Sequence, residues 1–113
     1  MKILLVGVFT VENSTNRFLS KAFVRAGHTV EEFDYRAVSN QIGPEGMNAG
    51  LVYEVMKVKP DLVFSCKGDQ LGFNTIIKIN EYAKTFYWFP DPIITAAPHL
   101  VKLASVCTYL CVS

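Results

Sequence analysis

Apolar positions along this chain switch repeatedly between two rhythms. Lys2–Phe9, KILLVGVF, is a continuous apolar run of the kind carried by a strand covered on both faces. A polar stretch, VENSTN, follows, and its Asn13, Ser14 and Thr15 are all competent helix N-caps. Phe18, Leu19, Ala22, Phe23 and Ala26 then recur at helical spacing, with Gly27 as the C-terminal stop. His28–Tyr35 alternates as a second strand, with His28 placed to satisfy the last carbonyls of the helix before it. Residues 36–46, RAVSNQIGPEG, are rich in turn formers and read as the longest loop. Met47, Leu51, Val52, Val55 and Met56 mark a second helix, and Pro60-Asp61 turns into a third strand, LVFSC. After KGDQ, the spacing of Ile76, Ile77, Ile79 and Ala83 predicts a third helix. Phe86–Phe89 is the fourth strand, His99–Ala104 a short helix, and Val106–Val112 the fifth strand.

Strand and helix alternating on this rhythm predict an α/β fold: a Rossmann-like three-layer α/β/α sandwich around a five-stranded parallel sheet. The expected strand order is 3-2-1-4-5. Such an order reverses between the first and fourth strands, so ligands are expected beyond their carboxyl ends, between the loops Val8–Asn16 and Pro90–Pro98. At 113 residues the chain is one domain. Ser113 follows the fifth strand at once, and an apolar edge strand without cover invites pairing with another chain. The expectation is a piece of a longer two-domain protein, with self-association through the fifth strand as the other way to cover that edge.

Composition narrows the partners. Half of the residues are hydrophobic, enough for a core, while 19% charged is low and suggests that part of the surface is normally covered. A net charge of +1 without any Lys/Arg cluster offers no electrostatic basis for binding nucleic acid or a membrane surface. No stretch approaches the roughly 20 apolar residues of a membrane span. The N-terminal apolar run lacks a small-residue cleavage site and leads into polar VENSTNR, so a cytoplasmic location is expected. Cys107 and Cys111 lie four residues apart in a strand, about 13 Å at the usual rise, too far to bridge. No metal-ligand spacing involves the three cysteines, which read as small buried hydrophobes, Cys66 alone lying near a candidate site.

Several chemistries of this architecture lack their residues. A dinucleotide site needs Gly-x-Gly-x-x-Gly after the first strand, whereas Gly7 here is followed by bulky Val8 and Phe9. A Walker A loop is absent. The acidic pair and the strand-ending aspartate of a phospho-receiver are replaced by Val8/Phe9 and Ser65/Cys66, and the cobalamin pattern Asp-x-His-x-x-Gly is missing.

The remaining candidates sit at strand ends. Asp91, between Pro90 and Pro92, is either a helix cap or turn residue, or a carboxylate aimed into the crevice as a base or acceptor. Lys67, Gly68 and Asp69 suit a tight turn, or else supply a cation and a flexible backbone to a polar ligand. Glu12, Asn13 and Asn16 start a helix and lie where a ligand would contact them. Tyr87 and Trp88 read as core aromatics, although an aromatic at a strand's carboxyl end can stack on a sugar or base. His99 follows Pro98 at a helix start and is open to either reading, and no Ser, His and Asp form a triad.

In order along the chain, MKILLVG, LSKAFVRAGHTVEEFDY, KPDLVFSCKGD and YWFPDP resemble the N-terminal domain of CgeB-like (spore-maturation type) glycosyltransferases, a branch of the GT-B enzymes. PDLVFSCKGD and the ending Trp88–Pro92 are the more specific parts. The resemblance spans nearly the whole chain and corresponds to the first half of such an enzyme. It implies an acceptor-side domain, with the nucleotide-sugar donor held mainly by a second, C-terminal domain and transfer occurring in the cleft between them. It implies no metal and no cofactor, an acceptor of unspecified kind, and no activity from this half alone. By position, Asp91 and the Val8–Asn16 loop would face that cleft, with Lys67–Asp69 beside it; Asp91 as the base on the acceptor hydroxyl is an expectation from its place in the chain and goes beyond the resemblance. The alternative is a flavodoxin-like or Rossmann-like binding or interaction module without chemistry.

Overall fold

The N-terminal apolar run forms β1 (Lys2–Gly7), buried from Ile3 onward, as expected of a strand covered on both faces. It leads to α1 (Thr15–Arg25), β2 (Thr29–Asp34), α2 (Tyr35–Val58), β3 (Leu62–Cys66), α3 (Phe73–Asn80), β4 (Lys84–Phe89) and β5 (Tyr109–Val112). The structure, a computed structural model, describes residues 1–9, 15–66, 71–89 and 109–112. The expected helix at His99–Ala104 and the loop Pro90–Pro98 lie outside the described residues. Every strand pairing is parallel, and the sheet order is β2-β1-β3-β4-β5. β5 is placed by its backbone pairing with β4.

This order departs from the expected 3-2-1-4-5: the crossover after β2 runs back across β1 instead of outward past β2. Residues 36–46, whose turn formers predict a loop, fold instead as the first part of α2. Asp34 caps the helix, its side chain accepting from the Ala37 N–H at 2.9 Å, and Tyr35 and Ser39 are buried one turn apart. The turn formers make a kink instead of a loop: Gly43 has φ 84°, and Pro44 opens the second helical stretch. The helix over residues 35–58 crosses β1, so the expected third strand pairs with β1 on the side away from β2 instead of outside β2. The doubly wound order 3-2-1-4-5-6, without its third strand and renumbered, becomes the observed one, which is also the flavodoxin-like order. β2 is therefore an edge, and it exposes Glu31 and Glu32, charges that discourage edge pairing.

Right-handed crossovers that run in opposite directions along a sheet put their helices on opposite faces. Leu4 and Val6 of β1 and Val63 of β3 share one core with Met47, Leu51 and Val55 of α2 and Ile76 and Ile79 of α3. On the other face Phe23 of α1 meets Phe64 edge-on at 5.4 Å, and Phe64 stacks on Phe86 at 4.9 Å. The expected apolar face of α1 is corrected by one residue, about 100° round the helix. Phe18 and Ala22 are exposed, while Asn16, Leu19, Ser20 and Phe23 turn toward the sheet. The stop at Gly27 is as read: φ is 93°, Gly27 N–H bonds Val24 O, and His28 N–H bonds Phe23 O. Among the described residues no helix is long and apolar enough to cross a membrane.

Candidate functional site at the carboxyl edge of the sheet

The reversal of strand order falls between β1 and β3. From β1 the chain leaves toward β2 through α1 on one face; from β3 it leaves toward β4 through α3 on the other. Chain ends diverging in this way open a crevice beyond the carboxyl ends of the two strands. The expected crevice between the first and fourth strands is thereby moved one strand, about 4.8 Å. β3, ending at Cys66, therefore exits beside β1, and β4 ends one strand further out.

Gly7, the last residue of β1, is shaped by its neighbour in α1. A Cβ at Gly7 would lie 2.4 Å from Asn16 Cγ and 2.5 Å from Asn16 Oδ1, so the Asn16 amide occupies the space a side chain would take. Asn16 Nδ2 donates to the Val8 carbonyl at 3.2 Å, tying the first turn of α1 to the exit of β1. The residue is only 8% exposed, and its Oδ1 is buried without a hydrogen-bond partner.

Asp34 ends β2 directly opposite Gly7. One carboxylate oxygen accepts from Phe9 N–H and the other from Ala37 N–H, each at 2.9 Å, so one side chain both steers the chain leaving β1 and caps α2. Sequence reasoning missed this residue because residues 36–46 read as a loop; with a helix starting at Tyr35, an aspartate just before it is an N-cap signal. Asparagine has a single amide oxygen and cannot accept both bonds. Asp34→Asn should cost about 2 kcal/mol, one charge-assisted bond lost and one backbone donor left facing an amide N–H. Urea denaturation followed by helical circular dichroism measures it; an unchanged midpoint would mean that the two bonds contribute nothing.

Asn48 of α2 performs a similar service at the start of α3. Its Oδ1 accepts from Gly72 N–H at 2.7 Å and its Nδ2 donates to Pro44 O at 2.7 Å, joining the start of α3 to the kink of α2. Ser65, the penultimate residue of β3, is 5% exposed, and its hydroxyl has no partner. It lines a cavity of about 10 Å³ with Leu51, Leu71 and Ile79. Removing an unsatisfied buried hydroxyl relieves its desolvation cost, so Ser65→Ala should leave stability unchanged or raise it by up to about 1 kcal/mol. A lowered denaturation midpoint would contradict that.

Of the residues singled out in the sequence, Asn16 is at the crevice. Trp88 is half-buried near the carboxyl end of β4, registered with Cys66 of β3, and by strand alternation it shares the Phe64 and Phe86 face. Glu12, Asn13, Lys67, Gly68, Asp69 and Asp91 lie outside the described residues. Cys66 is buried. Among the described residues no three His, Cys, Asp or Glu side chains gather as a metal site. Among the described residues, a perturbed titration lies elsewhere, at the far end of α3, where a hydrogen bond and charge from Glu81 at 3.2 Å raise the Lys78 pKa. Comparison with protein-family models, with curated proteins and with solved structures finds no match to this chain.

Proposed function

We propose that this chain is the acceptor-side domain of a GT-B-type glycosyltransferase, moving a sugar from a nucleotide-sugar to an acceptor hydroxyl. One observation carries most of the support. The Cys66–Trp88 register sets the strand parts of the two more specific family-like stretches, LVFSC and YW, side by side on adjacent strands. Residues scattered along a sequence become candidates for one site when a fold gathers their strand ends. In this reading Asp91 is the base, Lys67–Asp69 and Glu12, Asn13 and Asn16 contact the acceptor, and Trp88 supports or stacks on it. Donor binding belongs to a second domain, as the resemblance implies, and no residue here is assigned to it.

The protein expressed from its natural reading frame tests the proposal through release of nucleoside diphosphate from a panel of nucleotide-sugars. Turnover above the buffer rate supports it; a reading frame without a second nucleotide-binding domain refutes it. The flavodoxin-like strand order favours a second reading, a binding domain without chemistry. Saturable ligand binding with no turnover of any nucleotide-sugar would select that one.

A further inference from the structure

The outer face of α2 is apolar along its centre. Ile42, Gly46, Ala49, Tyr53 and Met56 recur there at alternating steps of four and three residues, the spacing along which two helices pack. Ile42, Tyr53 and Met56 are 59%, 67% and 47% exposed, Ala49 is exposed too, and Met47, Leu51 and Val55 face the core. Ile42 precedes the kink, yet its side chain lies over Gly46, 3.0 Å from where a Cβ would stand, and so stays on this face. Glu45, Val52 and Lys59 flank the row at intervals of seven. Glu45 and Lys59 are exposed, and among the described residues neither has an ion-pair partner. Where the helix ends, Val55, Met56, Lys59, Pro60 and Tyr82 line an open cleft of about 460 Å³. A contiguous apolar patch of this kind marks an interaction surface.

We infer that this face pairs with the same face of a second copy of the chain, the two α2 helices running antiparallel about a two-fold axis. The face is complementary to itself in that arrangement. Centring the pair on Leu51 sets Ala49 against the partner's Tyr53 and Gly46 against the partner's Met56, a small residue opposite a large one in each layer. Centring it one turn earlier would set Gly46 against Ala49 and Ile42 against Tyr53, a gap beside a clash. In an antiparallel pair each flank meets the same flank of its partner. Glu45 then lies within two residues of level with the partner's Lys59, about 3 Å along the axis, so the flank joins opposite charges at both ends. Ile42 comes level with the partner's Pro60, at the mouth of the cleft. Every contact occurs twice, as a closed two-fold interface requires. The pairing owes nothing to the transferase reading.

Sedimentation equilibrium of the full chain, carried up to millimolar concentration, tests it. The data should fit a monomer–dimer equilibrium with a Kd in the micromolar range, as suits a modest interface. Ala49→Arg sets a cation at the centre of the pair, where it also faces its own copy, and should weaken dimerisation at least about a hundredfold at an unchanged urea midpoint. Glu45→Lys and Lys59→Glu should each weaken it about tenfold, because each turns both flanking pairs into like charges. Mixed together, the two charge variants should dimerise as tightly as the original chain, since every flanking pair is then restored. Should Ala49→Arg fail to fold, the charge variants, altered only at exposed positions, decide alone. A chain that stays monomeric at millimolar concentration overturns the inference. So does a dimer indifferent to Ala49→Arg, as one paired through β5 would be. Charge variants that do not recover on mixing overturn the antiparallel pairing as well.

Discussion

Gly7→Ala is expected to destabilise the protein by about 3 kcal/mol, at the upper end of what overpacking a closed site costs. The added methyl would stand 2.4, 2.5 and 2.7 Å from Asn16 Cγ, Oδ1 and Nδ2, distances that no Cβ tolerates. Relief requires the amide to leave its place, which also sacrifices the bond from Nδ2 to Val8 O. Gly7 is in strand β1, without the positive φ found at Gly27 and Gly43, so the penalty is one of space and not of backbone conformation. Combining Gly7→Ala with Asn16→Ala should therefore cost clearly less than the sum of the two single changes, by about 1 to 2 kcal/mol of coupling. Urea midpoints of the four proteins in the cycle decide it. Simple additivity would mean that the contact between the two residues is not what constrains position 7.

Asp91→Asn is expected to lower nucleotide-sugar turnover by about a hundredfold or more, the usual worth of a positioned general base, with the denaturation midpoint unmoved. This substitution is chosen because asparagine caps a helix about as well as aspartate does. Between Pro90 and Pro92 an asparagine suits a turn or a helix cap as aspartate does, while removing the proton acceptor. Loss of turnover at constant stability thus points to the carboxylate's chemistry, whereas unchanged turnover leaves Asp91 as punctuation before the next segment. Asp91→Ala alone could not separate the two, since it removes both functions at once.

The place of Asn16 beside the exit of β1 was legible in the sequence, and the errors have identifiable physical causes. Asn16 was marked as a contact residue because a polar run after an apolar strand, ahead of a helix, is where open α/β sheets meet ligands. Asp34 was not marked, since its role depends on two backbone N–H groups, of Phe9 and Ala37, that only the fold brings to one carboxylate. Residues 36–46 misled through composition. Asn, Gly and Pro mark turns on average, but here Gly43 and Pro44 serve one kink between two helical stretches whose buried face runs Tyr35, Ser39, Met47, Leu51 and Val55.

By itself the sequence determined the local rhythm: apolar runs at β1 and β3, helical spacing in α1 and α3, the stop at Gly27, and hence a parallel α/β sheet with helices on both faces. These follow from side-chain periodicity and backbone chemistry, which act within a few residues of one another. Strand order was left to the tertiary structure, because it depends on which way each crossover runs, and nothing within a strand records its neighbours. The helix at 35–58 sent the chain back over β1, set β3 beside it, and moved the crevice from the fourth strand to the third. That single choice of direction put Gly7, Asn16 and the exit of Cys66 at one edge. It also left the Asn16 amide oxygen there buried without a hydrogen-bond partner.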